Sequence, residues 1–346
     1  MYSDLLSQRE SIILRSVVEC YVQNAAPVGS RLLVKKYELG VGPATIRNVM
    51  NDLEEMGYLQ QPHVSAGRVP TDKGYRFYVD SMMTVPSLAQ NERRIILDNL
   101  RKVSVDVYDL FETTSQILGK ISSQLGVVLE PRFHQGVLQK IELVSIAENK
   151  ILAVISIKSG FVKTIMLEVD ITLSPSQLQK TSWFINERLA GLTLKQIKDT
   201  IGVRLTSSAA NVNHKLIHLI VKSSHKLFSF DDEKNLHLGG THNIVSNPEF
   251  SDRNETVKLL ELIESKRGIL HQFNETPEEK LSITIGGENK DGMFKNCSIV
   301  SSKYCVGNVS GILGVVGPTR MQYAKIISLV NYMGKVLTRE LYSNLS

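Results

Sequence analysis

Ile46, Val49, Met50, Leu53 and Met56 recur at three- and four-residue spacing, which predicts an amphipathic helix over residues 43–57. Pro43 suits its first turn, where a missing N–H costs nothing, and Gly57 suits a left-handed stop. The opposite face then carries Ala44, Thr45, Arg47, Asn48 and Asn51. Two helices are expected before it. Ser7-Gln8-Arg9-Glu10 reads as a capping box opening a helix to about Asn24, with Ile13, Leu14, Val17, Val18 and Tyr21 as its apolar stripe. Pro27-Val28-Gly29 breaks the chain, and Ser30 is typed to cap a second, short helix to about Tyr37. The glycines of Leu39-Gly40-Val41-Gly42 then make a tight turn into the helix over 43–57.

After Gly57 the period changes. Tyr58-Leu59-Gln60-Gln61 and Arg68-Val69 read as short strands flanking a turn-rich tip at 62–67. Helix, helix, turn, helix, ribbon is the order of a winged helix-turn-helix. A capped segment at 70–80 follows. From Pro86 a linker leads to apolar residues at helical spacing, through Leu88 to Val103 and Leu110 to Leu125. Residues 136–148, 151–158 and 161–169 predict three successive antiparallel strands. Residues 174–238 read as helical, 256–270 as another amphipathic helix, and 281–285, 297–303 and 309–316 as strands. A long helix starting at Pro318-Thr319 closes the chain. The expected fold class is multidomain α+β, a winged helix followed by a sheet domain split by an insertion.

Length and composition narrow the classes. A chain of 346 residues accommodates two or three cores, and 42% apolar against 22% charged residues describes a folded rather than disordered chain. A net charge of +5 permits a polyanionic partner without demanding one, and the first 80 residues carry nine basic and nine acidic side chains. Any anion-binding surface there depends on placing charge on one face. No apolar run reaches the eighteen or so residues that span a bilayer, no secretory signal is recognisable, and Cys20, Cys297 and Cys305 lack metal-ligand spacing. A reduced cytoplasmic setting without a membrane partner is expected.

The polar face of the helix over 43–57 has the right chemistry for reading DNA. An arginine fork matches the two major-groove acceptors of guanine, asparagine does the same for adenine, and threonine bonds an edge or a phosphate. Thr45, Arg47, Asn48 and Asn51 are therefore the expected base readers. Ser30, His63, Ser65 and Arg68 are expected on the backbone or in the minor groove. No phosphate loop, nucleophile elbow, zinc motif or separated carboxylate pair accompanies them. His214 and His218 stand four apart without a third ligand. The expectation is a chain without enzymatic activity, cofactor or metal.

Pro27-Val28-Gly29-Ser30, Ala44-Thr45-Ile46-Arg47-Asn48, the run from Gln61 to Thr71, Gly74-Tyr75-Arg76 and Tyr78-Val79-Asp80 together carry a resemblance to the HrcA family of bacterial heat-inducible transcription repressors. It continues in Ile285-Gly286-Gly287-Glu288, Cys297-Ser298 and the run from Gly317 to Tyr323, so it covers nearly the whole chain. One departure is Gly42, where the family usually has a serine capping the reading helix; glycine costs only a few tenths of a kcal/mol there. The resemblance implies a winged helix at 1–84, a GAF-like domain at 85–173 and 240–346, and an inserted dimerisation subdomain at 174–239. It also implies a homodimer on double-stranded operator DNA, the CIRCE inverted repeat of chaperone operons, and a chaperonin that keeps the repressor active. A metabolite-gated regulator, with the GAF-like domain as sensor and the glycine turns and Tyr304 lining its pocket, is the alternative expectation.

Overall fold

The computed structural model describes residues 6–103, 107–131, 135–170, 173–206, 213–228, 235–250, 253–274, 280–307 and 309–345. The chain opens with α1 (Gln8–Asn24), α2 (Ser30–Lys36) and α3 (Pro43–Glu55), then the paired strands β1 (Leu59–Gln60) and β2 (Val69–Pro70), then α4 (Asp72–Phe77). The capping box at Ser7 is formed: its hydroxyl accepts from Glu10 N–H and the Glu10 carboxylate accepts from Ser7 N–H. Ile13, Leu14, Val17 and Val18 of α1 meet Leu33 of α2 and Ile46, Val49, Met50 and Leu53 of α3 in one core. Each such burial contributes on the order of 1.5–3 kcal/mol, enough to set the face that each helix turns inward. The left-handed stop at Gly57 is present, at φ +78°.

One cap moves. Gly29, not Ser30, is the N-cap, and Ser30 is the first residue of α2. Val28 is held extended by two 2.9 Å backbone hydrogen bonds with Arg68, and the chain turns into the helix at the next residue.

The chain continues through α5 (Gln90–Lys102), α6 (Val107–Ser122) and β3 (Leu125–Leu129). Leu125, expected at the end of a helical stripe, instead begins a fully buried strand. Next come β4 (Leu138–Ala147), β5 (Lys150–Ile157) and β6 (Val162–Glu168), then α7 (Pro175–Leu189), α8 (Leu194–Thr206), α9 (His214–Lys222) and α10 (Ser224–Phe228). The remainder is β7 (Leu236–Gly239), α11 (Thr241–Val245), α12 (Arg253–Ser265), α13 (Arg267–Asn274), β8 (Leu281–Ile285), β9 (Cys297–Val306), β10 (Val309–Pro318) and α14 (Tyr323–Leu345). The single helix expected over 256–270 is broken at Lys266, whose φ of +54° is left-handed. Pro318, expected to open the last helix, ends β10 opposite Cys297.

The five-stranded antiparallel sheet has the order β7-β3-β10-β9-β8. On one face it packs against α6 and α14, with α5 packed on those two helices, in a core continuous with that of the first three helices; on the other it packs against α11 to α13. Strand β7 lies in a stretch read from the sequence as helical, and β3 begins on the last residue of another.

The division expected at residue 174 cuts through a single core. Strands β4, β5 and β6 form their own antiparallel sheet, and its inner residues, Ile141, Ile151, Ala153, Ile155, Ile165 and Leu167, pack on Phe184, Ile185, Ile197 and Ile217 of α7 to α9. These strands do not pair with the five-stranded sheet. Helix α7 also closes the β4 edge: Asn186 accepts from Ile141 N–H at 2.7 Å and donates to its carbonyl at 2.8 Å, and Ser182 accepts from Leu143 N–H. Among the described residues, no helix is long and apolar enough to cross a membrane.

Candidate nucleic-acid interface

The apolar periodicity of α3 fixes what its other face offers. With Ile46, Val49, Met50 and Leu53 buried, Ala44, Arg47, Asn48 and Asn51 are exposed and Thr45 is half-buried. The β1–β2 ribbon stands beside that face. It is docked through the Val28–Arg68 bridge, which adds Val28 to β2 as a third short extended segment. The docking requires glycine at 67, because a Cβ there would lie 2.4 Å from the Val28 carbonyl carbon and oxygen.

Between α2, α3 and the ribbon lies an open cleft of about 350 Å³, lined by Ser30, Arg47, Asn51, Ser65 and Arg68 together with Met50, Gln61 and residues 28–29 and 66–67. Five of the eight residues singled out in the sequence therefore meet in one place. Thr45 and Asn48 lie outside this cleft on α3, and His63 is exposed at the ribbon tip. Next to His63, Val64 is 91% exposed. Ser65 holds a φ of +141°, a backbone conformation that side chains rarely adopt.

The two arginines of the cleft are not equivalent. Arg47 has no ion pair among the described residues. Arg68 is held twice: Nε lies 2.7 Å from a carboxylate oxygen of Glu54, and one terminal nitrogen donates to the Asn51 side-chain oxygen at 2.9 Å. The other Glu54 oxygen accepts from Gln61 N–H at 3.0 Å, and the Gln61 amide donates to the Ala66 carbonyl. Glu54 and Gln61 are the members of this site that the sequence reading missed. Glu54 stands three residues after Asn51, on the same helix face, and that spacing is the signal that points to it.

The other family-like motifs meet elsewhere, in the seam where the N-terminal module touches the five-stranded sheet. Arg76 forks onto both carboxylate oxygens of Glu288, with Nε donating at 2.8 Å, and also donates to the Ile283 carbonyl. That hydrogen bonding raises its pKa, so the guanidinium stays charged. Asp72 accepts from Gly287 N–H at 2.8 Å; Gly286 sits at φ +53° with no room for a Cβ against that carboxylate. Tyr75 and Tyr323 lie ring to ring at 5.8 Å, and burial pushes both hydroxyls well above the ordinary tyrosine range. Tyr323 shares a hydrogen bond with Ser298, whereas the buried Tyr75 hydroxyl has no partner among the described residues. Arg320 reaches Glu249 and the Val22 carbonyl. The Ile285–Glu288 turn thus receives side chains of its own chain. Tyr304 is buried with its hydroxyl donating to the Leu129 carbonyl.

A family model described as the HrcA protein C terminal domain matches residues 108–327, well over half of the chain. The chain belongs to the HrcA family. Similar relatives carry the name heat-inducible transcription repressor HrcA. The one from Chlorobium phaeobacteroides (strain BS1) is 39% identical over 99% of both chains. The one from Prosthecochloris aestuarii is 40% identical over 96% of this chain and 97% of its own. A crystal structure of a hypothetical protein superposes with a TM-score of 0.61 at 19% identity, covering 98% of this chain and 100% of that one, and so shares its fold. The HrcA model covers α6 to the start of α14, so the cleft lies outside it; the full-length relatives span it.

Proposed function

We propose that the chain is a repressor of heat-shock transcription that binds duplex DNA as a homodimer, its α1–α3 and ribbon acting as a winged helix. The observation that carries this reading is the convergence of Ser30, Arg47, Asn51, Ser65 and Arg68 on one open cleft beside an outward polar helix face, in a chain similar end to end to named repressors. Helix α3 enters the major groove, with Thr45, Arg47, Asn48 and Asn51 toward base edges, while Ser30 and the wing residues His63, Ser65 and Arg68 face the backbone or minor groove. A two-fold pair of such modules reads an inverted repeat, here of the CIRCE type, and a chaperonin holds the repressor in its active state.

The domain reading is winged helix to residue 84 and a GAF-like domain built on the five-stranded sheet. The dimerisation subdomain is redrawn to include β4–β6 with α7–α10. Support for a second copy there comes from the outer face of the three-stranded sheet, where Val144, Ile146, Val162 and Met166 are exposed, and from Trp183, 67% exposed on α7. The test is fluorescence anisotropy of the purified chain on a CIRCE-type inverted repeat and a scrambled duplex across salt concentrations, with sedimentation for the dimer and chaperonin added in a parallel series. Equal affinity for both duplexes at every salt concentration overturns the repressor reading.

A further inference from the structure

We infer that Glu54 is a positioning residue of the DNA site: its carboxylate clasps both strands of the wing to the reading helix and cancels the charge of Arg68, so the cleft discriminates sequences instead of gripping any phosphate backbone. The inference rests on the repressor reading and deepens it.

Three observations converge. One Glu54 oxygen accepts from Gln61 N–H just after the first ribbon strand, and the other meets Arg68 Nε just before the second, so a single α3 side chain holds the ribbon from both sides. Arg68 is also tied to Asn51 by its side chain and to Val28 by its backbone, and its side chain keeps only 15% of its exposure. The lining of the cleft contains two cations, Arg47 and Arg68, and no acid. Glu54, lying just behind that lining, neutralises one of them and leaves Arg47 as its uncompensated charge.

The consequence is energetic as well as geometric. Each cation free to neutralise a phosphate adds affinity that carries no sequence information and steepens the salt dependence by about 0.9 in log–log slope. A guanidinium already ion-paired with a carboxylate and bonded to an amide oxygen contributes less of this. It instead fixes the angle between wing and helix, on which the simultaneous fit of groove and backbone depends.

The test uses the full chain and a duplex selected by the wild type from a random pool, with a random duplex of equal length beside it. Glu54→Gln keeps the shape and the acceptor for Gln61 N–H but frees the Arg68 charge. Affinity for random duplex is expected to rise severalfold, the salt slope to steepen by about 0.9 per protomer, and discrimination to fall roughly tenfold. Arg68→Ala leaves the Glu54 carboxylate uncompensated and is expected to lower random-duplex affinity. Combining both substitutions returns that affinity and the slope to wild-type values while discrimination stays low.

A purely structural role would lower both affinities together without steepening the slope, and that result overturns the proposal, as does an E54Q protein with wild-type discrimination and slope. A wild type that selects no preferred duplex defeats the repressor reading itself and the clasp with it. A discriminating wild type with an unaltered E54Q variant defeats the clasp alone.

Discussion

The cleft and the seam each pair an arginine with a glutamate near the surface, yet they are built from opposite kinds of contact. In the cleft, Arg68 meets Glu54 and Asn51, at most 17 residues away, and every element involved belongs to the first 70 residues. In the seam, Arg76 meets Glu288 across 212 residues and Asp72 meets Gly287 across 215. The local pair shapes a surface that stays open. The distant pairs close one, tying the N-terminal module to the sheet behind it. Both arginines belong to motifs that look alike in the sequence, each a short run of Gly, Arg and aromatic or proline residues. Only the folded chain separates a residue that lines an open cleft from one that joins two modules.

Four substitutions sharpen or break this contrast. Gly67→Ala has the largest expected effect: its Cβ meets the Val28 backbone at 2.4 Å, so the ribbon must shift. A loss on the order of 1–3 kcal/mol in stability is expected together with loss of sequence discrimination. Thermal melting and exchange of the Arg68 amide would register it, and an unaltered Arg68 amide would mean that the ribbon does not depend on its docking to Val28.

Arg47→Ala is next, removing roughly 1–3 kcal/mol from binding to the preferred duplex and little from random DNA. Its melting temperature should stay that of the wild type, since the side chain is exposed. Equal losses on both duplexes would remove Arg47 from base reading.

Arg76→Ala tests the seam. The ion pair with Glu288 is about a third exposed and therefore modest, but the Ile283 carbonyl also loses a donor, so a destabilisation of about 1 kcal/mol is expected. Faster proteolysis at 83–89 would mark loosening of the N-terminal module, with base discrimination preserved. Loss of discrimination instead would mean that the two regions act as one.

The smallest effect belongs to Tyr75→Phe. It deletes a buried hydroxyl that lacks a partner, so stability should hold or rise by up to about 1 kcal/mol. A clear drop in melting temperature would show that the hydroxyl bonds in solution and that the seam is packed differently.

The N-terminal module was the most legible part of the sequence because its signals are short-range. The Ser7 capping box, the stripe of α3 and the Gly57 stop each need only neighbours within one or two turns. Gly67 and the shifted cap at Gly29 escaped notice because both follow from the pairing of Val28 with Arg68, 40 residues apart. Strands β3 and β7 escaped it for another reason. Leu125 prolongs the apolar spacing of α6, and β7 has only four residues, so neither shows a period of its own until β10 and β3 pair with them. The limit drawn at 174 failed because β4–β6 form an alternating sheet that suits either core equally. Which core they joined was settled by the apolar faces of α7 to α9.

By itself the sequence determined the three helices and the ribbon of the N-terminal module and which polar side chains of α3 would face outward, because apolar periodicity and caps act along a few turns of chain. The tertiary structure decided that Arg68 pairs with Glu54 while Arg47 has no ion pair among the described residues, and that the motifs at 72–76 and 285–288 lock together. Charge pairing and close backbone approach depend on distances that the chain sets only once it has closed on itself.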